Sequence, residues 1–291
     1  MSIIISALSQ GLLWAILAIG VYLSYRFLNI SDLTSEGSFT LGAAVCASSI
    51  VNGLSPFVST LLALFAGSLA GLVTGVLHTK FKMPSLIAGI LSMTGLYSIN
   101  LRIMGKANIP LTNSSTLLTD LKDLLGLSRD RQAAIYLGLI VCAIVIAFLV
   151  WFFNTEFGFS VVATGNNDKM IRANGVDSDK TIIAGLMLSN ALIALSGSLV
   201  AQYNGYSDVT MGIGAIVVGL ASVIIGEVLF RKSNRFVVCL TGVMVGSIIY
   251  RLIVTFVVNS NFISANDMKL FTAVVVAFAI IVANKGGKKV V

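Results

Sequence analysis

Residues 132–153 read QAAIYLGLIVCAIVIAFLVWFF, a stretch with no charged side chain, and runs of this kind recur along most of the chain. A helix needs roughly 20 apolar residues to cross a hydrocarbon core about 30 Å thick, whereas a strand of an outer-membrane barrel alternates over about 10. With 57% apolar and 11% charged residues, against about a quarter charged in soluble domains, the sequence predicts an all-α, polytopic helical membrane protein. Residues 1–291 are expected to form a single transmembrane domain. About nine transmembrane segments are expected, between eight and ten, at roughly 3–27, 35–51, 56–78, 84–103, 132–153, 181–203, 212–230, 236–258 and 268–284. The second is short and rich in Gly and Ser, which predicts a broken or only partly spanning segment. The opening MSIIISALSQGLLWAILAIG has no basic n-region and no small-residue cleavage site, so it is expected to start a retained first helix.

The net charge of +7 lies in loops flanking the spans, where it reads as an orientation signal and not as nucleic-acid binding. With the C-terminus inside, twelve basic residues face inside: Arg26, Lys80, Lys82, Lys169, Arg172, Lys180, Arg231, Lys232, Arg235, Lys285, Lys288 and Lys289. Six face outside, namely Arg102, Lys106, Lys122, Arg129, Arg131 and Lys269, most of them in or beside one long loop from 104 to 131. The N-terminus is therefore expected outside and the C-terminus inside. Cys46, Cys142 and Cys239 all sit in apolar runs without metal spacing and read as small buried hydrophobes. The sequence has no GxxxxGK[ST] phosphate loop and no nucleophile or metal motif, so no catalytic residue, metal site or cofactor is assigned to this chain. The lone His78 is expected to cap the inner end of the third span near Lys80 and Lys82.

Helices in lipid associate through close backbone contact. Ala63, Gly67, Gly71 and Gly75 recur every four residues and predict a small-residue groove down one face of the third span. Gly242 and Gly246 repeat the device, and Gly212, Gly219 and Gly226 recur every seven. Ser31-Asp32-Leu33-Thr34 and Ser207-Asp208-Val209-Thr210 each open a Gly-rich apolar run, one from each side of the membrane by the charge count. Such opposed copies are what an inverted repeat leaves in sequence; ordinary helix N-capping produces the same four positions.

The segment 154–180, NTEFGFSVVATGNNDKMIRANGVDSDK, is the longest polar break in the second half of the chain. Its centre predicts a helix of about two turns over 166–175. Asn166 or Asn167 can cap it, Asp168 and Lys169 open it, Arg172 suits its negative end, and Gly175 can take the left-handed conformation that stops it. Met170 and Ala173, with Ile171 and Asn174 beside them, form a small knob in a charged surround. Such a knob fits either a groove on a soluble partner or the bilayer surface.

The block ATGNNDKMIRANGVDSDKTIIAGLMLSNALIALSGSLVAQYNG is similar to the signature region of the permeases that include the branched-chain amino-acid (LivH-like) and, more distantly, the ribose-type sugar permeases. The matching positions are Thr164, Gly165, Asn167, Met170, Ala173, Gly175 and Val176, then Ser196, Gly197 and Gly205. ISDLTSEGSFTLGAAV, GLVTGVLHTKFKMPSLIAGILSMTGLYSINLRIMG and GSIIYRLIVTFVVNSNFISANDMKLFTA extend the likeness over nearly the whole chain, closest to the subgroup paired with TrpX-type binding lipoproteins. At 171 and 172 the chain has Ile and Arg where relatives often carry Ala first. The resemblance implies a type II-like ATP-binding-cassette importer fold in a bacterial cytoplasmic membrane. It also implies a homodimer of this chain, two ATPase subunits holding ATP and Mg, a lipid-anchored external binding protein, and a cytosolic coupling role for 154–180. The implied cargo is a small solute, aromatic amino acids such as tryptophan or tyrosine first. A secondary transporter or channel is the alternative reading.

Ionisable residues at membrane depth are the candidates for a translocation pathway or gate. Asp32 and Glu36 flank the second span, Asn100 and Arg102 are expected at the outer mouth of the fourth, and Asp208 opens the seventh. Arg251, deep in the eighth, either receives a solute carboxylate or pairs with Asp208 or Asp267. Glu227 is expected to pair with Arg231 at i,i+4.

Overall fold

The computed structural model describes residues 2–112, 114–126, 130–230 and 235–259, with scattered positions from 270 to 281. Helices α1 (Ser2–Tyr22, continued by a π turn at Leu23–Phe27), α2 (Thr34–Val51), α3 (Pro56–Thr79) and α4 (Ser85–Met104) lead to strand β1 (Asn108–Pro110). Then follow α5 (Leu117–Leu125), α6 (Asp130–Phe153), α7 (Glu156–Asn166), α8 (Asp168–Ala173), α9 (Ser178–Asn204), β2 (Tyr206–Asp208), α10 (Ala215–Leu229) and α11 (Phe236–Asn259). Among the described residues six helices are long and apolar enough to cross a membrane: α1 with its π turn, α3, α4, α6, α9 and α11. The expected count of nine is therefore not reached in full. The ninth segment, 268–284, lies largely outside the described residues, and the second and seventh correspond to α2 and α10, which differ from the other six.

Helix α9 is the central post. Its most apolar window is 72% buried, against 22% for α4. Helix α1 runs antiparallel to it, with Ser196 Oγ donating to the Leu13 carbonyl and Ser189 Oγ to that of Gly20, both at 2.8 Å. The small-residue face of α3 meets α9 as the sequence predicts: Gly67 lies on Asn190 and Ala194, Gly71 on Leu186, and Gly75 on Ile183. A Cβ at Gly67 or Gly71 would overlap the α9 backbone, so the spacing is a condition of the contact. Gly242 and Gly246 of α11 meet Gly226 and Ser222 of α10 in the same way. These seams are intramolecular.

The depth of α2 follows from its register on α9. Ser38 Oγ donates to Asn190 Oδ1 at 2.7 Å, Gly42 packs on Ala194 and Gly197 on Phe39, so the two helices run parallel with an offset that shifts along the seam. Thr34, the first residue of α2, then stands between the levels of Leu186 and Asn190, about 12–18 Å along α9 from Ser178 at the helical rise. At the other end, Gly212 N donates to Thr40 Oγ1 (3.1 Å) and Gly214 N to Glu36 Oε1 (2.9 Å). After α9 ends, residues 205–214 therefore turn back roughly 20 Å toward its middle before α10 begins. Helix α10, antiparallel to α11, runs opposite to α2 and covers only 15 residues, about 22 Å. Both helices thus start partway along α9 and run toward opposite ends of the bundle.

The two Ser-Asp-x-Thr copies make the same turn, the first directly before α2 and the second between β2 and α10, whose own cap is Gly214. Thr34 N donates to Asp32 Oδ1 at 2.9 Å and Thr210 N to Asp208 Oδ1 at 2.8 Å. Their surroundings differ, since Asp32 is buried and also accepts from Asn190 Nδ2 at 2.6 Å. Asp208, partly exposed, lies in β2 opposite Asn108 of β1. Replacing Asp32 by Ala strands a buried N–H of Thr34 and one of Asn190 at about 1–3 kcal/mol each, whereas Asp208→Ala removes the acceptor of a solvated turn, a loss of about 0.5–1.5 kcal/mol. Thermal unfolding in detergent is expected to rank the losses in that order; equal losses would remove the distinction between them.

Candidate functional site

One end of the bundle carries the polar segment. Thr155 caps α7 through its hydroxyl to Gly158 N at 3.2 Å. Gly165 of α7 sits on the carbonyl of Phe27, where any Cβ would overlap it, and Thr164 Oγ1 shares a 2.8 Å hydrogen bond with Thr181 Oγ1 of α9. Phe27 packs edge-on against Tyr22 and Phe153 and lies 5.4 Å from Phe236. Helix α7 is thereby seated where the ends of α1 and α6 meet the starts of α9 and α11.

The expected single helix over 166–175 is instead the end of α7, one extended residue, and α8. Asn166 closes α7, and Asn167 (φ −158°, ψ 94°) alone caps α8, its Oδ1 accepting from Met170 N at 3.0 Å. Gly175 takes φ +84°, the left-handed conformation predicted for it. The exposed surface consists of Asn166 to Met170 and Arg172 to Gly175. Ile171 departs from the expected knob: it is 8% exposed and anchors α8 to the protein, leaving Met170, 50% exposed, as the apolar point presented outward.

Arg172 does more than face a helix end. Its Nε meets Asp168 Oδ1 at 3.1 Å, one turn back, and its Nη2 meets Asp179 Oδ1 at 2.7 Å; Asp179 also takes Lys80 Nζ at 3.4 Å. Hydrogen bonds to Asp179 and Asp168 raise the guanidinium above its ordinary pKa, so its charge is constant in any physiological medium. Exposed pairs of this kind add little to stability. They orient α8 against α3 and α9 more than they stabilise it. Sequence reasoning missed Asp179; its place at the first turn of α9, seven residues after Arg172, was the available signal. His78 lies close by, with Nδ1 2.7 Å from the Met83 carbonyl, closing the turn after α3.

The pathway candidates separate into three places. Asp32, Glu36 and Asn100 lie close together around the start of α2: Asp32 accepts from Asn190 of α9, and Asn100 Nδ2 donates to the Gly37 carbonyl at 3.3 Å. Asn100, only 1% exposed, is thus deeper than the outer mouth where it was expected. Arg102 is exposed near the end of α4 and Asp208 lies at the strand end, so neither joins the first group. Arg251 forms a third place. Its guanidinium carbon lies 4.0 Å from the centre of the Trp14 ring and its Nη1 3.5 Å from Gln10 Oε1, not on Asp208, which corrects that expected pair; Asp267 lies outside the described residues. A cation over an indole face is an electrostatic partner in its own right. Glu227 pairs with Arg26 at 2.8 Å, tying α10 to the π turn of α1, and Arg231 lies outside the described residues.

Residues 3–284 match the family described as branched-chain amino acid transport system / permease component. The tyrosine transport system permease protein of Clostridioides difficile (strain R20291) is 44% identical over 276 residues, covering 95% of this chain and 90% of that protein. The autoinducer 2 import system permease protein LsrC of Yersinia pseudotuberculosis (serotype O:3, strain YPIII) is 30% identical over 76% of this chain and 60% of its own length. Among solved structures, an inward-facing metal-chelate type ABC transporter superposes with a TM-score of 0.52 over 98% of this chain and 85% of that one, at 15% identity. PsaBC from Streptococcus pneumoniae gives 0.51 over 97% and 89%, at 14% identity. At such identities the structural likeness is one of fold.

Proposed function

The chain belongs to the family of branched-chain amino acid transport system permease components, and from that premise we propose that it carries an amino acid inward, driven by an ATPase on other chains. As a permease of an ATP-binding-cassette system it is a multi-pass transport subunit and not an enzyme. The assembly in this reading is a dimer of the chain, two ATPase subunits supplying the ATP and Mg site on the cytosolic side, and a lipid-anchored binding protein of the TrpX type outside. The membrane is the bacterial cytoplasmic one, with α8 on the cytosolic side, the N-terminus outside and the C-terminus inside. Tyrosine, the cargo named for the 44% identical relative, is the first substrate to test, with tryptophan beside it.

The observation that carries the reading is α8 itself. It is a capped six-residue helix held by a buried Ile171 and an ion cluster, yet it leaves Met170 bare at the end of a rigid bundle. An apolar point in a charged surround suits a groove on a soluble partner. The seating of α7 on Phe27 and Thr181 lets force on α8 reach α1 and α9, the two most buried spans. ATP binding would draw the two ATPases together and move α8 inward as a lever, opening a path alternately to each side at the dimer axis.

The test is reconstitution. The chain, expressed with the ATPase and binding protein encoded beside it, is expected to co-elute with that ATPase and to accumulate labelled tyrosine or tryptophan in proteoliposomes only when ATP is present. Uptake that persists without ATPase would favour a secondary transporter or channel and end the proposal.

A further inference from the structure

A cavity of about 530 Å³ opens at the end of the bundle opposite α8. Helix α9 separates the two: Asp179 at its start meets Arg172, and Gln202 to Gly205 at its end line the cavity, about 35 Å away at the helical rise. In the permease reading this is the outer end. The volume lies within the usual range for whole small ligands, about 300–1,000 Å³. The wall is mainly polar, with Ser6, Gln10, Asp130, Arg131, Tyr203 and Asn204 among its residues.

The groups left open in that wall are donors, and their charge is positive. Asp130 and Arg131 are the first two residues of α6. The Arg131 carbonyl accepts from Ser9 Oγ at 2.9 Å, which sets this end of α6 beside Gln10, the next residue of α1. The Asp130 carboxylate is met by Lys122 Nζ at 2.9 Å. Arg131 is exposed, and among the described residues its guanidinium has no ion pair or hydrogen bond. The cavity therefore holds an uncompensated cation at the start of a long helix, where an anion is favoured. Gln10 is turned by Arg251, whose Nη1 donates to Gln10 Oε1 at 3.5 Å. That contact takes the amide oxygen and leaves the amide nitrogen, with its two protons, to the cavity. Asn204, exposed at the last turn of α9, brings a second amide that is unengaged among the described residues. Gln202 offers nothing further, since its Oε1 accepts from Leu117 N and its Nε2 donates to Thr60 Oγ1.

We propose that this cavity receives the carboxylate of the transported solute. A carboxylate is an acceptor with about four lone-pair sites. It complements two amide donors and a guanidinium, whose planar fork matches its two oxygens. A solute that carries only an ammonium would meet Arg131, with Arg251 behind Gln10, as like charge. The volume fits a whole amino acid, more than the single acidic side chain that a docking protein would insert. The assignment rests on the permease reading and adds to it the group recognised at the outer end and the residues that recognise it.

Ligand-observed saturation-transfer NMR on the permease–ATPase complex in phosphatidylcholine nanodiscs, without the binding protein, tests it. The probes are L-tyrosine, 3-(4-hydroxyphenyl)propionate and tyramine. The two carboxylates are expected to bind about tenfold better than tyramine, the effect of one charge-assisted contact. Arg131→Gln should weaken L-tyrosine binding about tenfold. Gln10→Glu should weaken it at least as much, because the new side chain still accepts from Arg251 but offers the cavity a charge like the ligand's. Equal binding of the three compounds, binding of none, or unchanged L-tyrosine binding in both variants overturns the proposal. Should Gln10→Glu not fold, the exposed Arg131→Gln and the wild-type comparison decide. Inorganic phosphate that displaces L-tyrosine as readily as the propionate does would make the cavity a general anion site and overturn the solute assignment. Co-elution of the ATPase is read on the same sample. Its absence sinks the permease reading, whereas its presence with unselective binding sinks the carboxylate site alone.

Discussion

Met170→Asp is expected to lower ATP-driven uptake in proteoliposomes by about 30-fold or more, the effect of about 2 kcal/mol lost at an interface hot spot. A carboxylate pressed into an apolar groove adds a desolvation cost to the missing contact. The fold should survive. Met170 is half exposed, its backbone amide keeps the bond to Asn167, and an acid in the first turn of a helix suits the helix dipole. Size-exclusion and thermal unfolding of the variant should match wild type while the ATPase no longer co-elutes. A variant that still assembles with its ATPase and transports normally would show that α8 is not the lever. Arg172→Glu attacks the same element differently, by placing like charge against Asp168 and Asp179, and is expected to tilt α8 instead of blanking its surface.

Gly197→Ala is expected to cost about 3 kcal/mol, the upper part of the usual overpacking range, and to lower the unfolding temperature by on the order of 10 °C. A methyl at this position overlaps the Phe39 carbonyl on α2, and across the same seam Gly42 abuts the backbone of Ala194. The obstacle is main chain and cannot rotate away. Gly95→Ala is the matched substitution: it lies mid-helix in α4, nothing stands within 4 Å of its built Cβ, and the exchange favours the helix by up to about 1 kcal/mol. The two variants change the same atoms in opposite environments. Equal melting temperatures would mean that the α2–α9 packing described above is wrong.

Much of the architecture was legible in the sequence because its cause is local. Six long spans, the Gly67–Gly71–Gly75 face of α3, the left-handed Gly175 and the Asn167 cap all follow from properties of a few neighbouring residues. The suspicion that 35–51 was not a full span came from its glycines and serines, and α2 is not among the helices long and apolar enough to cross a membrane. Ile171 was misjudged because a six-residue helix carries too little periodicity to tell its inward face from its outward one. Arg251 was expected on a solute carboxylate, Asp208 or Asp267, and among the described residues it lies over the indole of Trp14, far away in sequence, and not on Asp208.

By itself the sequence determined the solvent, the helices and the family, since the free energy of placing each residue in lipid adds along the chain whatever the chain does elsewhere. Only the tertiary structure decided which polar groups share a depth. Glu36, Asn100 and Gly214 meet because one segment turns back from the end of α9 and another helix starts partway up it. Such a register is set by backbone contacts between residues more than 100 positions apart, at glycines where two main chains touch, and no local pattern encodes that distance.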